Sequence, residues 1–136
     1  MILVDSNVLL DLIVEDPRWA KWSQQSLDEW GRRGPILINA IIYAELAPEY
    51  DLIEDLDAAI ATVRLEYREI PKPALFLAVK AHTLYRRRGG VRLSVLPDFF
   101  VGAHAAVLGV SLLTRDPKRY KSYFPTVRVI SPETEI

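Results

Sequence analysis

A chain of 136 residues that is half apolar and 26% charged has the length and mix of one globular domain, 1–136, whose core needs no disulfide support, which excludes a disordered or fibrous protein. It contains no cysteine, so a disulfide framework, a thiolate metal site and a thiol nucleophile are excluded, and the cytoplasm is the expected compartment. Its 17 basic residues against 18 acidic ones leave a net charge of −1, so any nucleic-acid binding has to come from local patches.

Ile2-Leu3-Val4 is an all-apolar triplet that predicts a buried strand ending on Asp5. No basic flank or long apolar segment stands before it, so no targeting peptide is expected. Ser6 or Asn7 can cap a helix carrying Val8, Leu9, Leu12 and Ile13. Pro17 restarts a helix through Trp19, Trp22, Leu27 and Trp30 as far as Gly31 and Gly34, and Ile36-Leu37-Ile38 follows as a second strand. The three tryptophans are expected to help close the core, with a partner groove as the alternative. Asn39 caps a helix holding Ile41, Ile42, Tyr43, Ala44 and Glu45, which Pro48 closes, and more helix is expected from 52 to about 65. Arg68-Glu69-Ile70 reads as a weak third strand. Pro73 opens a long helix through Ala74, Leu77, Ala81 and Leu84 that dissolves in Arg86-Arg87-Arg88-Gly89-Gly90. Pro97-Asp98 starts another helix, ended by Gly109. A strand over 110–113, a loop over 114–125 with room for one short turn, and a last strand over 127–130 complete the chain. The most apolar stretch, 99–113, is interrupted by Gly102, His104 and Gly109 and falls short of the roughly 20 residues of a membrane span, so it reads as core. Helical material separates every strand from the next, which predicts an α/β fold on a mostly parallel sheet.

Four acids stand where a solvated charge is not expected. Asp5 ends an all-apolar strand, Glu45 lies in a nearly all-apolar helix, Asp98 precedes Phe99 and Phe100, and Asp116 follows Ser111-Leu112-Leu113-Thr114. An isolated buried carboxylate costs several kcal/mol or stays protonated. A shared cation removes that penalty, and a carboxylate cluster without nearby His or Cys selects a hard ion, Mg²⁺ or Mn²⁺. Sheets of this kind bind ligands beyond the carboxyl ends of their strands, where Asp5 and Asp116 fall. Read singly, Asp98 could be a helix N-terminal charge and Asp116 a turn residue before Pro117.

These motifs, Val4-Asp5-Ser6-Asn7-Val8-Leu9-Leu10, Asn39-Ala40-Ile41-Ile42-Tyr43-Ala44-Glu45-Leu46, Leu96-Pro97-Asp98-Phe99-Phe100-Val101-Gly102-Ala103-His104-Ala105 and Leu112-Leu113-Thr114-Arg115-Asp116-Pro117-Lys118-Arg119-Tyr120, occur in this order over almost the whole chain. The sequence resembles the PIN-domain ribonucleases, and most of all the VapC-type toxins of toxin–antitoxin pairs. The resemblance implies a PIN-like three-layer α/β/α fold and a metal-dependent endoribonuclease. It implies Asp5, Glu45, Asp98 and Asp116 as catalytic, metal-binding acids, supported by Asn7 and Thr114. It further implies RNA of the translation machinery as substrate, a cognate antitoxin as inhibitor, and a homodimer. A PIN-like domain kept only for RNA or protein binding is the alternative. A haloacid-dehalogenase-like phosphatase would want an Asp where Asn7 stands. A response-regulator receiver domain would want paired acids after the first strand and a Lys after a late one, where this chain has Ser6 and Arg115.

Two basic clusters flank the proposed ligands: Arg86, Arg87, Arg88 and Arg92 before Asp98, and Arg115, Lys118, Arg119 and Lys121 around Asp116. They are candidate RNA-phosphate contacts, with helix C-terminal charge as the plainer reading of the first. His82 and His104 are expected to be structural. The run Glu49, Asp51, Glu54, Asp55, Asp57 is expected to face water, as are Asp11, Glu15 and Asp16, although Asp11 lies one turn from Asn7 and can border the site.

Overall fold

The computed structural model describes residues 1–132. Within them β1 (Ile2–Val4), β2 (Ile36–Ile38), β3 (Leu65–Tyr67), β4 (Ser111–Leu113) and β5 (Val129–Ile130) form one sheet in the order β3-β2-β1-β4-β5. Every neighbouring pair is parallel, with Leu3 beside Leu37 on one side and Leu112 on the other. Each residue of β1 and β2 is buried, which requires cover on both faces, and helices supply it. The result is the three-layer α/β/α arrangement around a parallel sheet. No helix among the described residues is long and apolar enough to cross a membrane.

The helices are α1 (Ser6–Ile13), α2 (Ala20–Arg33), α3 (Ala40–Leu46), α4 (Ile53–Thr62), α5 (Lys72–Arg87), α6 (Leu96–Leu108) and α7 (Lys118–Tyr123). Several boundaries differ from the sequence expectation for local reasons. The cap of α1 is Asp5, whose Oδ1 accepts the Ser6 N–H at 2.8 Å, so Ser6 is already helical. Before α2, Asp16 Oδ1 accepts the N–H groups of Arg18 and Trp19 and turns the chain, so the helix starts at Ala20 and runs past Gly31 to Arg33. After α4, Arg64 adopts φ 56° and redirects the backbone, so the third strand falls at Leu65–Tyr67 and not at Arg68-Glu69-Ile70. The expected 114–125 loop contains α7, and the last strand is two residues long.

Core packing centres on α6, where Phe99, Val101, Ala103 and Ala105 are fully buried. Burial of one large apolar side chain stabilises by roughly 1.5–3 kcal/mol. Phe99 meets His82 at 5.3 Å, Tyr123 at 5.3 Å and Phe124 at 5.9 Å between ring centroids. Gly102 faces Phe124 so closely that a Cβ there would overlap the ring. Gly109 ends α6 in the left-handed region at φ 72°, the conformation glycine adopts without strain. Trp22 and Trp30 pack against the core from the edge.

The chain runs from the central strand β1 out to β2 and β3, then returns to β4 on the opposite side of β1. The order therefore reverses between β1 and β4, and the carboxyl ends of these two strands frame the crevice where α/β sheets bind ligands.

Candidate active site

Asp5 occupies that crevice because it is both the residue after β1 and the cap of α1. It is buried, and both its oxygens are hydrogen-bonded: Oδ1 accepts from the Ser6 N–H, while Oδ2 accepts from Thr114 Oγ1 at 2.9 Å and from the Tyr120 hydroxyl at 2.8 Å. Glu45 reaches the same place from the last turn of α3, half-buried, with its Oε1 accepting from Ser6 Oγ at 3.1 Å. Asp98 arrives from the first turn of α6 and pairs with the Arg119 guanidinium of α7. Asp116, on the turn after β4, is exposed at the rim. Asn7 spans the gap to it: Nδ2 donates to Thr114 Oγ1 at 3.1 Å and to Asp116 Oδ2 at 3.4 Å.

Electrostatics tie the acids into one group. Burial pushes the Asp5 carboxyl up to about 7, the Tyr120 and Thr114 donors oppose it, and the charges of Asp98 and Glu45 add to it. Glu45 is raised by burial and by Asp98, against the Ser6 hydroxyl. Burial also raises Asp98, with Arg119 opposing and Asp116 adding. Tyr120 lies well above the ordinary phenol range through burial and the nearby Asp5 and Asp98 charges, so it remains a protonated donor.

An all-oxygen donor set in which the Asp5, Glu45 and Asp98 carboxyls are held above their ordinary range by burial and by neighbouring charge fits a hard divalent cation, which would relieve both causes. Among the described residues no three acids or histidines already close around a point as a finished metal shell. Arg119 instead holds one Asp98 oxygen, and Thr114 with Tyr120 holds Asp5 Oδ2. Asp5, Glu45 and Asp98, with Asp116 at the rim, are the carboxylates that face this crevice.

Beside the acids lies a cleft of about 410 Å³ lined by Tyr85, Arg92, Asp116, Lys118, Arg119 and Tyr123. Arg86 and Arg87 are exposed on the last turn of α5, and Arg88 lies 5.7 Å from the Tyr123 ring. Arg119 is committed to Asp98. Arg115 is paired with Asp11, which corrects one expectation: Asp11 does not face water but is buried. A larger cavity, about 590 Å³, opens between Leu27, Arg32, Ile36, Arg64 and Leu65 near the amino ends of β2 and β3, and contains none of the four acids.

His104 is buried and bonded to Asn39, and the acidic run in 49–57 is exposed. Sequence reasoning missed Tyr120 and Ser6 as carboxylate donors. Ser6 adjoins the first acid, and Tyr120 closes the quoted motif around Asp116, yet only the fold brings the phenol to Asp5.

A family model described as PIN domain matches residues 2–124. The comparison with curated proteins finds no match. Among solved structures, VapBC2 from Rickettsia felis, bound to a DNA fragment from its promoter, has 20% identity and TM-score 0.73, over 96% of this chain and 98% of that one. A toxin–antitoxin complex from Klebsiella pneumoniae has 24% identity and TM-score 0.70, over 97% and 98%. VapBC-1 from nontypeable Haemophilus influenzae has 18% identity and TM-score 0.72, over 96% and 98%. At these identities the likeness concerns the fold.

Proposed function

The chain belongs to the PIN-domain family, and from that premise we propose that it is a Mg²⁺- or Mn²⁺-dependent endoribonuclease, one PIN-like domain over 1–136, acting in the cytoplasm as the toxin of a toxin–antitoxin pair. The observation that carries this reading is the convergence of Asp5, Glu45 and Asp98 from three separate segments onto the crevice between β1 and β4, each carboxyl raised by burial and by its neighbours.

Asp5, Glu45 and Asp98 would hold the cation, and Asp116 would close the set from the rim. When bound, the ion supplies positive charge to offset the charge that builds on the phosphoryl oxygens and the leaving oxygen. Thr114, Tyr120 and the Ser6 N–H fix the orientation of the Asp5 carboxylate. Asn7 keeps Thr114 and Asp116 in register. Lys118 and Arg92 line the adjoining cleft, from which they would contact phosphates and position the strand, while Arg86 and Arg87 extend the basic track. Water attacks phosphorus in line and releases a proton to solvent, the P–O3′ bond breaks, and the leaving 3′-oxygen takes a proton from solvent, giving 5′-phosphate and 3′-hydroxyl ends. The substrate is RNA of the translation machinery, the inhibitor a cognate antitoxin protein, and the assembly a homodimer; the likeness to toxin–antitoxin complexes supports the partner.

Digestion of total RNA by purified protein with Mg²⁺, with Mn²⁺ and with EDTA, followed by sequencing of new ends, tests the proposal. Cleavage should need the cation and vanish in Asp5→Asn. Cleavage surviving EDTA, or equal in Asp5→Asn, overturns it, and absence of cleavage under every condition favours the binding-only alternative.

A further inference from the structure

One buried carboxylate has no part in the acid cluster. Asp11 sits on α1, one turn after Asn7, and is 2% exposed. Its Oδ2 accepts from Ser23 Oγ of α2 at 2.8 Å and from Arg115 Nε at 2.6 Å. An unpaired carboxylate at such a place costs several kcal/mol, so Asp11 fixes the Arg115 side chain instead of merely neighbouring it. The guanidinium also lies 5.4 Å from the centre of the Trp19 ring. Arg115 stands between Thr114 and Asp116, and its own N–H donates to Asn7 Oδ1 at 3.2 Å. Helix α1 therefore grips the turn after β4 at two points, by Asn7 on the backbone and by Asp11 on the side chain. Thr114 and Asp116 are the residues gripped: Thr114 Oγ1 accepts from the Asp116 N–H at 3.1 Å and donates to Asp5.

Resting on the nuclease reading above, we infer that Asp11 and Arg115 are positioning residues that hold the 114–116 turn so that Thr114 reaches Asp5 and Asp116 stays beside Asn7 at the rim, and that Arg115 is not an RNA-phosphate contact. The pair acts through the turn and touches neither cation nor substrate. Its opposite charges leave the pair without net charge.

The test compares wild type, Arg115→Gln, Arg115→Lys, Asp11→Asn and the double variant Asp11→Asn/Arg115→Gln as full chains. Mn²⁺ is titrated against melting temperature, cleavage is followed against Mn²⁺, and RNA binding is measured against salt in the Asp5→Asn background. Arg115→Gln should need about tenfold more Mn²⁺ for half its thermal shift and lose at least about tenfold in kcat, the usual cost of removing a residue that orients a metal ligand. KM and the salt slope of RNA binding should hold. Arg115→Lys should recover part of the Mn²⁺ response, because an ammonium can still pair with Asp11 but lacks the planar fork. The double variant should be little worse than the worse single one, as coupled residues are not additive. Equal Mn²⁺ midpoints in wild type and Arg115→Gln, including no shift in either, overturn the inference. So does a salt slope reduced by about one unit, the signature of a lost phosphate contact. If wild type responds to Mn²⁺ yet cuts no RNA, the nuclease reading fails and the thermal titration still decides the clamp. Should Arg115→Gln not fold, the same titration on Arg115→Lys and Asp11→Asn decides, unchanged midpoints in both counting against the clamp.

Discussion

Asp5 receives three hydrogen bonds, each favouring its charged form, and burial still outweighs them, leaving the carboxyl at about 7. An aspartate in the unfolded chain titrates near 3.9. Over the interval between these values the folded protein keeps a proton that the unfolded chain releases. Stability from this group is therefore full below about pH 4 and is lost as pH rises to about 7. Urea denaturation in EDTA across that interval should show wild type weakening with rising pH and Asp5→Asn with a flatter profile, Glu45 and Asp98 keeping a residual slope because both are raised too. A flat wild-type profile would contradict the assignment. Tyr120 supplies the largest opposing influence on Asp5. Tyr120→Phe removes one donor from the carboxylate and nothing from the ring packing, so Asp5 should become a weaker acid still. If ionised Asp5 is needed for activity, the acidic limb of kcat/KM against pH should move up by roughly half a unit or more. An unmoved limb would mean that the phenol only fills space.

Glu45 and Asp98 are brought together by α3 and α6, and these helices are braced by one buried polar pair. Asn39 caps α3 through Oδ1, which accepts the Ile42 N–H at 3.0 Å, and its Nδ2 lies 3.0 Å from His104 Nδ1 on α6. With Nδ2 as donor, that nitrogen must be unprotonated, and burial lowers the His104 pKa in agreement. Asn39→Ala should cost about 1 kcal/mol for the cap and about 1–3 kcal/mol for the orphaned imidazole. Chemical denaturation should register a loss of a few kcal/mol, and cleavage at temperatures where the variant is folded should fall because the two acids lose their common support. A loss below 1 kcal/mol would dismiss the brace. How much was legible beforehand follows the same physics. The triplets Ile2-Leu3-Val4 and Ile36-Leu37-Ile38 announce central strands because both faces are covered, whereas β3 lies at the sheet edge with Glu66 and Tyr67 exposed and so offers no apolar run to read. Helix α7 was hidden by its polar composition. The acids stood out because each interrupts apolar surroundings, while the Asp11–Arg115 and Tyr120–Asp5 contacts span 104 and 115 residues and leave no local trace.

The acids come from positions 5, 45, 98 and 116, so an ion held among them joins parts of the chain that only the native fold brings near, and its binding energy is folding energy. Like charges in one crevice also repel when no cation offsets them, which places the cost of the site on the metal-free protein. Both effects act in one direction. Saturating Mn²⁺, at about a hundred times its dissociation constant, should add roughly 2.7 kcal/mol, a rise on the order of 10 °C in melting temperature for a chain of this length. Asp5→Asn separates the two contributions: relief of desolvation and repulsion should make the metal-free variant more stable than wild type near neutral pH, while loss of a ligand oxygen should shrink the Mn²⁺ shift severalfold. Differential scanning calorimetry of both proteins, in EDTA and in Mn²⁺, reads the four values needed. A carboxylate serving only as the cap of α1 predicts a different outcome: Asn caps almost as well as Asp, so neither the metal-free stability nor the Mn²⁺ shift would change much. Equal Mn²⁺ shifts in wild type and Asp5→Asn would therefore remove Asp5 from the ligand set and, with it, the basis for reading the crevice between β1 and β4 as a metal centre.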